Sequence, residues 1–310
     1  MKALALPSFD EEPSVIEVED PVAGPGEVLV RVAAASINAF DVTVASGGAR
    51  AFMTYEFPGV IGSDVAGTVE ALGHGVDAFA VGDRVFGMMG MKGAVHDGSF
   101  GELATPTAVS VARAPEGLND VDAGSLAVAG TTAMSAVDVV APGERTTVLV
   151  LGATGGVGAF ALQLARIRGA NVIASVRPGD EGFVTDLGAT ESIDYTGDVA
   201  GELRQRYPDG VDAVVDAVSS GDGFSSVAAL VREGGTLVST RGAAGEAIEV
   251  GGVRVANANG NPAHLLPLAD LVVTGRLKVP VRKTYPLAAA AQAIADFAEQ
   301  HTVGKLVITV

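Results

Sequence analysis

The stretch TTVLVLGATGGVGAFALQLARIRGANVIA, Thr146–Ala174, decides the fold. An apolar, β-branched run ends in Gly152-Ala153-Thr154-Gly155-Gly156-Val157-Gly158, a helical pattern follows, and a second apolar run closes the unit. Strand, glycine-rich turn, helix and strand in that order form the βαβ grip for the pyrophosphate of a dinucleotide. In this reading Thr154, Gly155, Gly156, Val157 and Gly158 hold the phosphates. Gly155 lets the backbone approach them, and Gly158 lets the helix pack on the sheet. The helix N-terminus adds free N–H groups and the positive end of its dipole. A plain strand-to-helix turn is the competing explanation.

Outward from this unit, β and α patterns alternate. Strands are expected at 171–175, 192–194, 211–217 and 236–240, with helices at 158–168, 179–187, 199–207 and 223–231. That alternation predicts a doubly wound parallel sheet. Upstream, short strands at 2–6, 14–18, 27–33, 65–72, 84–88 and 102–106 are separated by Gly, Pro and Asp turns, as in a compact β-barrel-like domain. Residues 118–140 turn helical, with Asp122 and Thr131 near plausible starts. Near the end, Asn261-Pro262 marks a helix start, residues 286–300 form another Ala-rich helix, and 305–310 a final strand.

Composition narrows the classes of function. The chain of 310 residues has length for about two domains. Its formal charge of -17 argues against nucleic acid, which needs cationic neutralisation of phosphates. Cysteine is absent, so disulfides and thiolate metal sites are excluded. His74, His96, His264 and His301 are scattered without the paired spacing of a metal site, and surface solvation or local hydrogen bonding is expected of each. No uninterrupted apolar run is long enough to span a bilayer; 123–137 reads as a buried helix. The N-terminus lacks a signal-peptide core, and a cytoplasmic protein is expected.

Six motifs together carry a family likeness: GEVLVRVAAASINAFD (26–41), PGVIGSDVAGTVEALG (58–73), VGDRVFG (81–87), AGTTA (129–133), GATGGVG (152–158) and VGKLVITV (303–310). In order and spacing they resemble the medium-chain dehydrogenase/reductase superfamily, in its zinc-free, zeta-crystallin-like quinone oxidoreductase branch. The resemblance implies an α/β chain: a GroES-like β-barrel catalytic domain, residues 1–118 and 262–310, and a Rossmann NADPH-binding domain, residues 119–261. Zinc alcohol dehydrogenases of the superfamily place a Cys where this chain has Asn38, three residues before Asp41. They place a His at Gly62-Ser63-Asp64, so Ser63 stands in for that ligand. No zinc Lewis acid is therefore expected.

The end of the second Rossmann strand carries no acid, where a site for NAD keeps one for the ribose hydroxyls. Ser175 and Arg177 stand there instead. A hydroxyl and a guanidinium suit the 2′-phosphate of NADPH. Tyr195 matches a family Tyr after the third strand that joins this pocket. Arg177 can also be an exposed loop cation.

By resemblance Asn38 lies beside the active cleft; a turn-satisfying amide is the alternative. Thr132 matches a family Thr that contacts the cofactor near the domain junction and is expected, with Asn38, to hydrogen-bond the developing oxygen, or it caps a helix. Lys305 follows Gly304 near the cofactor, or is an exposed strand-edge lysine. Tyr55 is either a proton donor, as in some enoyl reductases, or packs beside Phe57. Met88-Met89-Gly90-Met91 forms an apolar wall over substrate or fills core. Asp64 and Asp216 are read as structural anchors. The implied activity is NADPH-dependent hydride transfer to a quinone or an α,β-unsaturated carbonyl, in a homodimer joined near 253–255 and away from membranes. The competing class is a non-catalytic NADPH-binding sensor on the same fold.

Overall fold

The computed structural model describes residues 1–90, 94–220, 222–245, 249–299 and 301–310. The chain divides into two compact units: residues 1–128, 262–275 and 281–310, and residues 129–261 with 276–280. This division differs from the sequence-based boundaries at two places. Asp120–Val140 is one continuous helix, and the division falls inside it, between Val128 and Ala129, rather than at 118. Its early turns pack on the first unit: a Cβ on Gly124 would lie 2.5 Å from the Ala34 carbonyl oxygen. Residues 276–280 join the second unit because the Gln163 amide clamps Lys278, accepting its N–H at 2.8 Å and donating to its carbonyl at 3.0 Å.

The first unit is built on strands. Its larger sheet runs in the order Val111–Arg113, Arg84–Met88, Asp64–Leu72, Val28–Ser36, Lys305–Thr309, Val281–Pro286, with Leu103–Ala104 also on Val28–Ser36. A smaller sheet orders Ser14–Glu17, Lys2–Leu6 and Gly59–Val60. The alternating burial of Val28, Val30 and Val32 against exposed Arg31 follows from the two-residue period of a strand. These valines join Leu4, Ile37, Val65 and Phe100 in one core. The strand at 305–309, last in sequence, lies inside the sheet beside Val28–Ser36, which is why its apolar run Leu306–Ile308 is buried.

The second unit contains a seven-stranded sheet: Glu191–Asp194, Asn171–Val176, Thr147–Leu151, Val211–Asp216, Val231–Ser239, Val253–Asn257, Glu249–Val250. All but the last pair are parallel. Leaving aside that short last strand, the order is 3-2-1-4-5-6, the doubly wound arrangement in which ligands bind where the strand order reverses. Here that point lies between Leu151 and Asp216, which are register partners. Because both faces are covered by helices, the strand residues Val148–Val150 and Val172–Ala174 are fully buried.

Three expectations about these elements need correcting. Thr131 and Thr132 lie inside the helix Asp120–Val140, so Thr132 is not a cap. Val253 and Val255 are core side chains, and Glu249–Val250 pairs with Val253 and Arg254, so their apolar side chains are not a surface patch for a second copy. The helix Asp120–Val140 is also long and apolar enough to cross a membrane, with a mean hydropathy of 1.3. Its apolar window is 72% buried within the protein, as in a core helix.

Candidate active site

The glycine-rich turn connects Thr147–Leu151 to the helix Gly156–Ile167. A Cβ on Gly158 would lie 2.1 Å from the Gly152 carbonyl oxygen, so only glycine lets this helix close on the turn. Gly155 occupies the N-cap and no side chain caps the helix. The first N–H groups of a helix have no intrahelical partner, and the dipole concentrates positive potential there. Gly155, Gly156 and Val157 are partly exposed, whereas Thr154 is 3% exposed and buried in the turn. Ser175 is also buried, and its Oγ accepts the Gly152 N–H at 3.0 Å. Ser175 therefore braces the turn; the direct phosphate contact expected of it is withdrawn.

Arg177 and Tyr195 come together as expected. Val176 and Asp194 are register partners, so the residue after each strand end sits beside the other. Arg177 Nε donates to the Tyr195 hydroxyl at 2.5 Å, with the guanidinium 5.8 Å from the ring centre. Both are exposed. At the reversal of strand order, Asp216 is fully buried and accepts the Val218 and Ser219 N–H groups on Oδ1. Its Oδ2 has no partner among the described residues. An uncapped helix N-terminus, an exposed cation and an orphaned buried acceptor fit the phosphates and the hydroxyl or amide hydrogens of a dinucleotide. Thr132, in the same unit, is 7% exposed.

The first unit holds a different site. A cavity of about 230 Å³ is lined mostly by apolar side chains, with Asp41 and Ser63 among its polar groups. Below it lies a buried polar network drawn from four chain segments. Three adjacent strands end together here: extending the sheet register sets Asp64 opposite Ser36 and Lys305 opposite Asn38. Asp64 Oδ2 accepts from Ser36 Oγ at 2.5 Å and from Asn38 Nδ2 at 2.8 Å, and its Oδ1 accepts the Val128 N–H at 2.7 Å. Lys305 Nζ donates to Asn38 Oδ1 at 2.6 Å and to the Ile37 carbonyl at 3.1 Å, and lies 3.7 Å from Asp64.

Asp41 lies in the first turn of the helix Ala39–Ala45. Its Oδ2 accepts the Asn38 N–H at 2.7 Å, and its Oδ1 accepts from Ser63 Oγ at 2.5 Å. Burial pushes the Asp41 carboxyl up to about 7, opposed by the Ser63 and Asn38 hydrogen bonds and reinforced by Asp64. Burial also lowers the Lys305 ammonium, against the attraction of Asp64 and Asp41. Lys305 is 2% exposed, so neither the direct cofactor role nor the exposed-edge alternative describes it. It is a buried cation that fixes Asn38.

Gly62 has a φ of +119, and a Cβ there would meet Ser99 Oγ at 2.5 Å. That left-handed turn, with the Ser63 carbonyl accepting the Met89 N–H at 2.9 Å, presents the Ser63 hydroxyl at the cavity. Met88 and Met89 also line the cavity, and Met89 belongs to the core as well; Met91 lies outside the described residues. Tyr55 is not among the lining residues. Its hydroxyl donates to the Val44 carbonyl at 3.0 Å, and its ring packs with Phe9 and Phe57. This is the packing alternative, so the proton-donor role is withdrawn.

Sequence reasoning passed over three groups that the fold brings to this cavity. Asp41 served only as a landmark, Ser63 only as a missing ligand, and His96 as a solvated surface residue. His96 lines the cavity with Nδ1 2.6 Å from Asp97 Oδ1. The signal for Ser63 was its match to a superfamily ligand position, and for Asp41 its match to the superfamily Asp three residues after the other ligand position; nothing local marked His96. Among the described residues, no group of three or more His, Cys, Asp or Glu can hold a metal ion.

Comparison with known proteins agrees with this geometry. Residues 24–116 match the family described as "Alcohol dehydrogenase GroES-like domain", and residues 187–308 match "Zinc-binding dehydrogenase". The chain is 30% identical to the chloroplast envelope quinone oxidoreductase homolog of Arabidopsis thaliana, covering 94% of this chain and 92% of the relative. It is 31% identical to the NADPH-dependent alkenal/one oxidoreductase, chloroplastic, of the same plant, covering 91% and 72%. The solved quinone oxidoreductase from Coxiella burnetii superposes with a TM-score of 0.88 at 28% identity, covering 100% of this chain and 99% of that one. The chain belongs to the medium-chain dehydrogenase/reductase superfamily, in the zinc-independent branch related to quinone oxidoreductases and zeta-crystallin.

These relatives also overturn the expected cytoplasmic location. Quinone oxidoreductase relatives from Arabidopsis thaliana, Triphysaria versicolor and Spinacia oleracea are chloroplastic by name, at 30%, 29% and 28% identity. Membership of this family therefore carries no cytoplasmic address.

Proposed function

We propose that this protein is an NADPH-linked oxidoreductase that reduces quinones or α,β-unsaturated carbonyls without zinc. One observation carries the reading. The residues at the superfamily's ligand positions, Asn38 and Ser63, are bound into a hydrogen-bonded network with Asp41, Asp64 and Lys305. An amide and a hydroxyl so engaged make a poor donor set for a Lewis acid. The acceptor must then be electrophilic enough to take hydride unaided, as a quinone or a conjugated carbonyl is. The names of the quinone and alkenal/one oxidoreductase relatives point the same way.

NADPH, when bound, supplies the hydride. The turn Gly155–Gly158 and the helix behind it hold the phosphates, and Arg177 with Tyr195 receives the 2′-phosphate. In the other unit, the apolar cavity lined by Met88 and Met89 seats the acceptor and excludes water around it. Ser63, which lines that cavity, supplies the polar hydrogen for the oxygen on which charge develops, while Asn38, whose amide donates to Asp64 and the Ser36 carbonyl, holds the network beneath it. A homodimer, and no nucleic-acid partner, complete the proposal; the charge of -17 supports the latter.

The test is a panel of quinones and enals offered with NADPH and with NADH, read as cofactor oxidation. Turnover of quinones or enals with preference for NADPH is expected. Tight NADPH binding with no turnover of any acceptor would replace the enzyme reading with a sensor. Sedimentation of the purified chain checks the dimer.

A further inference from the structure

We propose that Asp41 and Ser63 form a two-residue proton relay that delivers the proton completing reduction of the acceptor. The inference rests on the reductase reading and deepens it, because the proposed function names no acid.

The two oxygens of Asp41 have different environments. Oδ2 faces the Asn38 N–H, a hydrogen that the backbone cannot give up. Oδ1 faces the Ser63 hydroxyl, which itself lines the cavity. A proton on Asp41 therefore belongs on Oδ1, between the carboxyl and the serine. The two protonation states give Ser63 two roles. Beside an ionised Asp41, its hydrogen is drawn to the carboxylate and is lost to the cavity. Beside a protonated Asp41, Ser63 Oγ accepts from Oδ1 and its own hydrogen turns toward the acceptor. The protonated state then presents a donor to a carbonyl oxygen and keeps a second proton behind it.

The step balances without a further reagent. Hydride addition converts an enone to its enolate, or a quinone to the hydroquinone monoanion. The Ser63 proton passes to that oxygen while the Asp41 proton passes to Ser63 Oγ. The products are the enol, which tautomerises to the saturated carbonyl, or the hydroquinone, and an Asp41 carboxylate. Solvent entering the vacated cavity returns the proton through Ser63.

The surroundings keep Asp41 near this balance. Desolvation raises its carboxyl to about 7, with Asp64 pushing the same way and Lys305 opposing. Across the cavity stand His96 and Asp97, which are paired with each other. Lys305 is spent on Asn38 and Ile37, and among the described residues no cation hydrogen-bonds the Asp41 oxygens.

The test uses the full-length protein as wild type, Ser63→Ala, Asp41→Asn and His96→Gln. Wild-type kcat/KM for a reactive quinone should fall as pH rises through about 7. Ser63→Ala, which deletes one hydroxyl and no helix contact, should lose roughly 100-fold in kcat with little change in KM. Asp41→Asn should lose the pH limb; His96→Gln should keep it. Independently of turnover, the infrared spectrum should show a protonated-carboxyl band that titrates near 7 and is absent in Asp41→Asn. Full activity and an intact limb in Ser63→Ala would overturn the relay, as would a limb that disappears with His96 instead. If wild type binds NADPH and reduces nothing, the reductase reading fails first and the relay with it.

Discussion

The glycine turn of one unit and the polar floor of the other solve opposite problems. The turn is made of backbone: an uncapped helix end and absent side chains create room for a ligand, and the exposed Arg177 follows a neighbouring strand end. The floor is made of side chains, buried and mutually satisfied, with two carboxylates and one ammonium in one network. A site for a large anion can be local and solvated. A site that must hold a proton at a chosen oxygen has to be dry and assembled from distant segments. The difference teaches where each kind of change should hurt.

The largest effect is expected at the floor. Lys305→Met leaves Asp64 and Asn38 without their cation and should cost about 3–5 kcal/mol of stability, read by denaturant unfolding. A smaller loss would mean that Ser36, Asn38 and the Val128 N–H suffice for Asp64. At the turn, Arg177→Ala should weaken NADPH by about 1.5–3 kcal/mol while leaving NADH unchanged, in a titration of each cofactor. Equal loss for both would remove the 2′-phosphate role. Gly158→Ala should cost about 1–3 kcal/mol in stability, because its Cβ meets backbone rather than a movable side chain.

The two regions should also separate by pH. The Asp41 carboxyl is raised in the folded chain, so the folded state holds a proton that the unfolded chain has released. Its contribution to stability is fully present below the ordinary carboxyl value near 4 and is lost as pH rises to about 7. Chemical denaturation across that window should show the slope, and Asp41→Asn should flatten it. The smallest effect is expected away from both regions. Tyr55→Phe removes one hydrogen bond to the Val44 carbonyl, about 0.5–1.5 kcal/mol, with kcat unchanged. A fall in kcat would return Tyr55 to the chemistry.

The same contrast explains what could be read from sequence. The turn was legible because Gly152–Gly158 is contiguous, and the Arg177–Tyr195 pair because the family resemblance matched Tyr195 to a Tyr after the third strand, which parallel register sets beside Arg177. The doubly wound sheet followed from alternation of patterns. The floor was not legible as a unit: Ser36, Asp41, Asp64 and Lys305 are joined only by strand order, and Lys305 reads as surface in any local window. Ser175 misled for the converse reason. A hydroxyl at the right position says nothing about which way it turns, and here it turns inward to Gly152. A helix cap was the bland alternative for Thr132, yet burial of Ala127, Ala129 and Ala133 carries the helix through it.

The central claim is hydride transfer from NADPH to an electrophile without a metal. Chelator-treated protein should be given NADPH deuterated at the transferable position of its nicotinamide, together with an enal, and the product read by mass spectrometry and NMR. Deuterium on the β-carbon of the saturated product, formed at a rate the chelator leaves unchanged, is the predicted result. A product without deuterium, or a rate restored only by added zinc, would contradict the account.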